Sequence, residues 1–331
     1  MNKKYFILFF VLVLTLALAA CTDDSSVDSD VEESTGGEEG SDENATGDGG
    51  GKDLNIAMMD DVVTLDPHGS NDSASAQVRR NIYETLVFQE SDMALAPGLA
   101  EEWEAAEDDV WNMKLREGTT FHNGSEFTAE DVKATLDRVR DTAVASEVAF
   151  LFEMIDEVEV VGDYEVNLHT EFPFAPLPSH LAHNTAGIMS KELIDQDYQA
   201  ALDEAGVEMT ADEYYELRAE GGSEYEDVAE QISEYTGGVI GSQSDGTNHL
   251  MLQSRTSGEE TVLEKFDDFQ GGDRSFETVT FRVIPENGAR MAELETGGIQ
   301  IAGDVDSSSA VRVVELDPVG NIRIENVSFV E

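Results

Sequence analysis

The chain has 331 residues, 40% of them hydrophobic, which is enough for one large domain or two ordinary ones with a sizeable core. Its 71 acidic and 19 basic residues give a formal net charge of −52, and the absence of a basic patch argues against DNA or RNA partners. The single cysteine, Cys21, excludes a disulfide or a cysteine-based metal site within one chain.

The first 20 residues have the order of an export signal. Two lysines precede 16 uncharged residues, from Tyr5 to Ala20, a run shorter than the roughly 20 residues that a membrane-spanning helix needs. Residues 18–21, Leu-Ala-Ala-Cys, resemble the lipobox of bacterial and archaeal lipoproteins, which implies cleavage before Cys21 and lipid attachment to its thiol. The alternatives are a plain cleaved signal peptide, or an uncleaved anchor helix, with a chance cysteine.

Residues 22–51 hold 11 acidic residues, no basic residue, and many glycines and serines. Such a segment cannot bury apolar surface, so residues 21–52 are predicted to be a lipidated cysteine followed by a disordered, self-repelling tether. Residues 53–331 are predicted to form the folded part, and they keep most of the negative charge.

This acidity of the folded part predicts a protein that works in concentrated salt. At 1 M salt the Debye length is about 3 Å, which removes most of the repulsion between exposed carboxylates. Equal stability at millimolar and molar salt would contradict this halophilic hypothesis. The alternative is that the acidity reflects acidic partners or cationic ligands.

The residue pattern beyond the tether predicts alternating strands and helices. In chain order, the pattern predicts a strand at 54–58, a helix at 73–88, a strand at 111–115, a helix at 128–140, a hairpin at 158–170, mostly helix at 192–236, strands at 250–254, 261–265 and 278–284, a helix at 285–295 and a strand at 299–301. Thr128 is predicted to cap the free amides at the start of its helix, and Glu130 and Asp131 to complement the positive helix end. The mixture predicts an α/β sandwich.

Several blocks of sequence match one family in order and spacing. The blocks are Thr64 to His68, Asn81 to Val87, Leu95 to Glu104, Leu115 to Gly124 and Phe127 to Lys133. They resemble the extracellular solute-binding proteins of ABC importers for dipeptides, oligopeptides and nickel complexes. The resemblance covers about residues 53–190 and resumes near 246–305. Residues 246–249, Gly-Thr-Asn-His, depart from the usual Gly-Thr-Gly-Pro, and residues 195–245 have no clear counterpart.

The resemblance implies an α/β fold of the periplasmic-binding-protein type II kind. Two lobes of such a protein close on a solute and then dock on a membrane permease, which an ATPase drives. Family members continue well beyond the length of this chain, so the resemblance implies that the first lobe is largely present and the second is missing, from a truncated or split gene. Because closure normally buries 70–90% of a small ligand, one lobe is expected to bind peptide weakly or not at all.

Candidate ligand-binding residues come from two loops and one helix. The loop candidates are Asp66, His68, Thr247, Asn248 and His249, for which ordinary loop and turn roles are the alternative. Tyr83 is a further candidate, although its position near the apolar face of a helix favours core packing.

Enzymatic motifs are absent: no Gly-x-Ser-x-Gly, no P-loop and no Gly-x-Gly-x-x-Gly follows a strand. His180 and His183 have the spacing of metal ligands on a helix, but the prolines before them favour a loop. No cofactor and no metal is therefore predicted, and the nickel branch of the family keeps metal binding as a minor alternative.

Together these features predict a substrate-binding lipoprotein, anchored on the outer face of the cytoplasmic membrane. Its expected partners are permease and ATPase subunits and a peptide or nickel-complex ligand. A non-transport surface lipoprotein, or a truncated remnant with little ligand binding, is the alternative. Permease and ATPase genes beside this one would favour the first function.

Overall fold

The computed structural model describes residues 52–272 and 276–309; the predicted signal peptide, Cys21 and most of the tether lie outside them. The first elements are β1 (Lys52–Met58), α1 (Ser73–Ile82), β2 (Val87–Gln89), β3 (Leu95–Pro97), β4 (Ala100–Glu107), β5 (Val110–Leu115), α2 (Ala129–Val139), β6 (Ile155–Gly162) and β7 (Glu165–Thr170). Then come α3 (Leu177–His180), α4 (Lys191–Ala205), α5 (Ala211–Glu220), α6 (Ser223–Ile232), α7 (Gly238–Gln243), β8 (Leu250–Thr256), β9 (Glu260–Lys265), β10 (Phe276–Val283), α8 (Asn287–Thr296) and β11 (Ile301–Ala302). Among these residues, no helix has the length and apolar character to cross a membrane.

The strands form a five-stranded, a four-stranded and a two-stranded sheet. The five-stranded sheet has the order β11-β1-β10-β9-β8, in which β1 runs parallel to β10 and β11, while β9 and β8 are antiparallel. The four-stranded sheet, β4-β5-β7-β6, is antiparallel throughout. We call the end of the five-stranded sheet at which β1 and β10 finish, at Met58 and Val283, the carboxyl edge, and the opposite end the amino edge. The β8–β9 hairpin turns at the carboxyl edge, because Thr256 pairs with Glu260 there.

Two apolar clusters fill the interior. The first joins the five-stranded sheet to α1 and to the helices α4–α7, and the second joins the four-stranded sheet to α2. Val132, Leu136 and Val139 recur at helical spacing on one face of α2 and are buried in the second cluster. Truncating Leu136 to alanine is expected to cost about 2–5 kcal/mol of stability. The helix α2 also contacts α4 of the first cluster, so it joins the two parts.

The start of α2 follows the capping prediction. Thr128 occupies the N-cap in an extended conformation, and its backbone N–H donates to the Asp131 carboxylate over 2.8 Å. This bond satisfies a backbone donor that the helix itself leaves free, and the carboxylate complements the positive end of the helix dipole.

The helix predicted over 73–88 is wrong beyond Ile82. At Tyr83 the backbone becomes extended, and Val87–Gln89 forms β2. The cause is a partner segment that is distant in sequence: Leu99 N–H donates to the Thr85 carbonyl over 2.9 Å, and Gly98 N–H to the Leu86 carbonyl over 3.2 Å. The segment 95–100 therefore forms hydrogen bonds with the Thr85 and Leu86 carbonyls, which a longer helix would have used within itself.

Candidate functional site

The carboxyl edge carries the loop that follows β1, and we call residues 59–65 the edge loop. In open α/β sheets, ligands bind outside the carboxyl ends of the parallel strands, where the connections diverge. Met59 is 41% exposed and Val63 is 65% exposed in this loop. A single exposed apolar side chain is ordinary, but this pair lies where such folds bind ligands. The edge loop is therefore the candidate contact surface for a solute.

The β8–β9 hairpin holds the edge loop from one side. Asp61 Oδ2 accepts hydrogen bonds from Gly258 N–H over 2.8 Å and from the Ser257 hydroxyl over 3.2 Å. Arg255 donates to the Val62 carbonyl, and its guanidinium lies 3.5 Å from the Asp61 carboxylate. The loop is thus fixed by a neighbouring strand pair and exposes its apolar side chains from a defined position.

A concavity of about 480 Å³ opens between the edge loop, α7 and β8. This volume lies within the range of about 300–1,000 Å³ that small-molecule sites occupy. Two leucines, several hydroxyl and amide groups and one guanidinium line it; the residues are Leu65, Gly241, Ser242, Gln243, Leu252, Gln253, Ser254, Arg255 and Ser257. Small-molecule sites are usually lined mainly by apolar side chains, whereas this lining is mostly polar and offers several hydrogen-bonding groups to a polar solute.

A fully buried arginine fixes the base of the edge loop. Arg138 Nη1 and Nη2 donate to the two carboxylate oxygens of Asp66 over 3.1 and 2.7 Å. Nη1 also lies 2.9 Å from His68 Nδ1, and Nη2 lies 3.4 Å from Asp197 Oδ2. Burial opposes the ionisation of Asp66, but the Arg138 guanidinium beside it holds the pKa of that carboxyl below its ordinary value. We call Asp66, His68, Arg138 and Asp197 the arginine cluster.

The arginine cluster also holds α7, the second wall of the concavity. Asp197 accepts hydrogen bonds from Gly237 N–H over 2.8 Å and from Val239 N–H over 2.9 Å, at the start of this helix. Gly237 has a φ of 85°, and a Cβ atom there would lie 2.9 Å from Asp66 Oδ2. Only glycine fits that conformation and that approach without strain. The two walls of the concavity are therefore fixed relative to each other by one set of buried charges.

The structure brings the predicted residues Asp66 and His68 together beneath the edge loop, both buried. Burial, and then the positive charge of Arg138, lower the pKa of His68 to about 3. Since Nδ1 must accept the hydrogen bond from Arg138, the imidazole is neutral. Their contacts are with the protein interior, so their effect on a solute would act through the position of the loop.

The other four predicted residues lie together at the C-terminal end of α1, near the amino edge; they are Tyr83, Thr247, Asn248 and His249. The Thr247 hydroxyl donates to Glu84 Oε2 over 2.9 Å, and Asn248 N–H donates to the Ile82 carbonyl over 3.0 Å. Glu84 in turn pairs with Arg116 over 2.8 Å. Tyr83 also adjoins the segment that holds Asp66 and His68, because a Cβ atom at Gly187 would lie 2.7 Å from Tyr83 Cβ and 3.6 Å from Pro67 Cγ.

Close packing surrounds Tyr83, which is buried in the first apolar cluster. A Cβ atom at Gly187 would lie 2.7 Å from Tyr83 Cβ, and one at Gly246 would lie 2.1 Å from the Ile82 carbonyl oxygen. The glycine of the Gly-Thr-Asn-His segment is thus required by a close approach of two backbones. Burial raises the pKa of the Tyr83 hydroxyl.

Three residues of the site carry no sequence motif: Arg138, Asp197 and Arg255. For Arg138 a signal exists in the helix pattern. Asp131, Thr135 and Arg138 recur at a spacing of four and three residues, on one line along α2, and all three are buried. Such a polar line beside the apolar line of a helix indicates a buried polar network. Arg255 lies in an ordinary strand pattern and gives no comparable signal.

The two histidines with the spacing of metal ligands, His180 and His183, have different hydrogen-bond partners. His180 Nδ1 lies 2.8 Å from the Leu151 carbonyl oxygen, and His183 Nδ1 lies 2.8 Å from the Thr185 hydroxyl. In residues 52–272 and 276–309, no group of three or more His, Cys, Asp or Glu side chains is placed to hold a metal ion.

The neutral ring of His122 is expected to make the free energy of unfolding fall at acidic pH. Its Nε2 donates to the Asn248 carbonyl over 2.8 Å and its Nδ1 accepts from Gly246 N–H over 3.4 Å, which requires the neutral ring. Burial lowers the pKa of His122 to about 4, whereas a histidine in the unfolded chain titrates near 6.5. The unfolded chain therefore takes up the proton first, and stability present above pH 6.5 is lost as the pH falls toward about 4.

Urea unfolding between pH 4 and 7 measures this effect. We expect His122→Gln to reduce the slope of unfolding free energy against pH by up to about 1.4 kcal/mol per pH unit within that window. The matched control is His169→Gln on the four-stranded sheet, where the ring is about a third exposed. An unchanged slope in His122→Gln, or an equal change in the control, contradicts the prediction.

Comparison with known proteins identifies the family. The sequence profile described as "Bacterial extracellular solute-binding proteins, family 5 Middle" matches residues 94–326. Glutathione-binding protein GsiB of Pectobacterium atrosepticum is 29% identical over 253 residues, which make up 76% of this chain and 42% of that protein. GsiB of Escherichia coli strain K12 is 28% identical over the same shares. The chain thus spans less than half the length of these relatives.

Solved structures share the fold. The oligopeptide-binding protein AppA of Bacillus subtilis, in complex with a nonapeptide, gives a TM-score of 0.62 at 22% identity and covers 82% of this chain and 47% of its own. NikZ of Campylobacter jejuni, in complex with Ni(L-His), gives 0.61 at 19% identity and covers 80% and 45%. The likeness confirms the predicted α/β fold of the type II periplasmic binding proteins, with one lobe present. Because the family profile matches most of its residues, the chain belongs to the bacterial extracellular solute-binding proteins of family 5.

Proposed function

We propose that this chain captures a peptide or a similar small solute outside the cell for an ABC importer, with permease and ATPase subunits as its partners. Membership of a family of solute-binding proteins supports this function. The names of similar proteins favour the ligand class: one relative is a glutathione-binding protein, and the structures of two others hold a nonapeptide and Ni(L-His). Peptides come first and a nickel complex second, since the described residues contain no group of side chains placed to hold a metal.

The observation that carries this proposal is a pre-positioned edge loop beside a concavity. Exposed Met59 and Val63 would contact the solute, while Asp66 and His68 would position the loop through Arg138. A binding surface whose supports are already fixed loses less entropy when the solute binds. The contact roles of the other four predicted residues, Tyr83, Thr247, Asn248 and His249, stay predictions.

Anchoring at the membrane belongs to the same proposal. Lipid on Cys21 would attach the protein to the outer face of the cytoplasmic membrane, and the acidic segment 22–51 would hold the lobe away from that surface. Mass spectrometry of the membrane fraction tests this arrangement, and an unmodified Cys21 there contradicts it. The surplus of carboxylates supports molar salt as the working medium.

Solute binding is measured by calorimetry and thermal shift with the full chain in molar salt. Glutathione, mixed di- and tripeptides and a nickel–histidine complex serve as the probes. We expect millimolar dissociation constants, because one lobe buries only part of a ligand that two closed lobes enclose. Micromolar or tighter binding would contradict weak binding by one lobe, and no binding of any probe would contradict the proposed function.

A matched pair of variants places the contact surface. Val63→Asp puts a charge on the edge loop and is expected to weaken binding at least about tenfold, which corresponds to roughly 1.4 kcal/mol. Val161→Asp makes the same change on β6, where the side chain is also exposed, and is expected to leave binding unchanged. The reverse order of effects would place the solute elsewhere.

A further inference from the structure

The acceptor motif for N-linked glycosylation, Asn-x-Ser/Thr, occurs four times in the chain. The four asparagines are Asn44, Asn71, Asn123 and Asn326. In an exported protein this motif marks surface positions that a membrane transferase can modify. Asn71 and Asn123 lie within the described residues, and both are exposed.

Asn123 lies at the tip of a tight turn, where its side chain is exposed and its Nδ2 donates to the exposed Glu192 carboxylate over 3.3 Å. The turn is closed by hydrogen bonds from Gly124 N–H to the Phe121 carbonyl over 2.9 Å and from Phe121 N–H to the Ser125 carbonyl over 2.8 Å. Asn123 Oδ1 accepts from Ser125 N–H over 2.7 Å, so the first and third residues of the motif are held together. A Cβ atom at Gly124 would meet no atom beyond its chain neighbours within 4 Å, so the turn is open on the side of Gly124.

The Asn123 turn is attached near the amino edge of the five-stranded sheet. Asn123 N–H donates to Asp245 Oδ1 over 3.1 Å, and His122 N–H donates to the Gly246 carbonyl over 2.9 Å. Those partners immediately precede β8, which begins at the amino edge. Bulk added at Asn123 would therefore leave the edge loop open.

Asn71 lies at the N-terminal end of α1, directly before the N-cap residue Asp72. Its neighbour Ser70 is buried and accepts a hydrogen bond from Arg79 through its carbonyl over 2.9 Å. The ten residues of α1 span roughly 15 Å between the two ends. A glycan at Asn71 would stand beside the proposed solute surface, so the two exposed motifs differ in what a modification would obstruct.

We propose that Asn123 is the acceptor of an N-linked glycan, an inference that rests on the proposed export of the chain. The donor class is an oligosaccharide joined through its anomeric carbon to a polyprenyl phosphate, presented at the outer face of the membrane. Asn123 Nδ2 forms a bond to the anomeric carbon while the bond from that carbon to the phosphate oxygen breaks. The polyprenyl phosphate leaves with the electron pair and takes up one Nδ2 proton, and nothing is oxidised or reduced.

Peptide mapping by mass spectrometry tests this site on the full chain, recovered from the membrane fraction of cells that produce it. The peptide containing Asn123 is expected to carry an added sugar mass. Ser125→Ala should remove that mass, because it deletes the hydroxyl that the motif needs and keeps the backbone groups that close the turn. Ser125→Thr restores a complete motif and should retain the glycan. Ser73→Ala, which breaks the motif at Asn71, should leave the Asn123 glycan unchanged.

The outcomes separate this inference from the proposed function. An unmodified Asn123 peptide in a chain that carries lipid on Cys21 overturns the glycan and leaves export standing. A glycan that persists in Ser125→Ala overturns the assignment to this motif. An unmodified chain recovered only from the cytosol overturns both the location and the glycan. Sugar on Asn123 that follows the hydroxyl of residue 125 supports the inference.

Discussion

Arg138→Leu should lower the free energy of unfolding by about 3–5 kcal/mol, the range measured when one partner of a buried ion pair is removed. The variant leaves Asp66 and Asp197 without their cation, and both carboxylates are almost completely buried. Leucine fills part of the volume but donates no hydrogen bond, so Asp66 must either stay charged in the interior or take up a proton. Urea unfolding at fixed molar salt and neutral pH measures the loss.

The control for this prediction is Lys114→Met on the four-stranded sheet. Lys114 pairs with Glu102 over 2.9 Å, and the two side chains are 61% and 71% exposed, so its removal should cost less than about 1 kcal/mol. Arg138→Lys keeps the charge but loses the bidentate hydrogen-bond geometry. Its loss of unfolding free energy should lie between those of Arg138→Leu and Lys114→Met. A loss in Arg138→Leu no larger than that in Lys114→Met would contradict the role assigned to the arginine cluster.

Loss of Arg138 should also affect solute binding. Because Arg138 joins the edge loop to α7, its loss should weaken solute binding even under conditions in which the variant remains folded. A purely stabilising role would lower the unfolding midpoint without changing the dissociation constant of the folded fraction. Calorimetry well below that midpoint distinguishes the two.

Local signals in the sequence predict local structure well. The start of α2 at Thr128 depends on groups within three residues, and the hairpin of β6 and β7 depends on alternation and a short turn, so both follow from the sequence. The end of α1 at Ile82 depends on the backbone of residues 98 and 99, which no pattern near residue 82 indicates. The missed boundary is therefore the one that a distant strand determines.

In the candidate site too, nearby residues determine some features and distant residues determine others. The sequence correctly indicates that residues 66–68 form a loop after the first strand, and the family resemblance indicates that a solute-binding fold surrounds it. The inward direction of Asp66 and His68 depends on Arg138, which lies 72 and 70 residues further along the chain. Polar residues in a loop normally suggest exposure. Only the line of polar residues on α2 indicates that a buried cation, Arg138, contacts Asp66 and His68.

Asp141→Asn should be the second large loss, about 2–4 kcal/mol, since hydrogen bonds to a charged group contribute about 1.5–3 kcal/mol each and asparagine retains part of them. Asp141 is fully buried and receives the hydroxyls of Tyr198 over 2.7 Å, Tyr214 over 2.9 Å and Tyr225 over 2.9 Å. Arg218 adds a guanidinium contact of 3.2 Å. The Asp141 carboxylate, just after α2, therefore connects this helix by hydrogen bonds to α4, α5 and α6.

The asparagine variant tests charge rather than shape, because it changes one oxygen for an amide nitrogen of similar size. Its NH₂ group donates where the carboxylate accepted, so at least one tyrosine hydroxyl must turn or lose its partner. Asp195→Asn is the matched control: Asp195 also accepts from a tyrosine, Tyr215, over 2.7 Å, but its side chain is 33% exposed and water can replace the lost bond. We expect the control to lose less than about 1 kcal/mol. Equal losses would mean that burial of the carboxylate, and the convergence of three tyrosines on it, add nothing to the attachment of these helices.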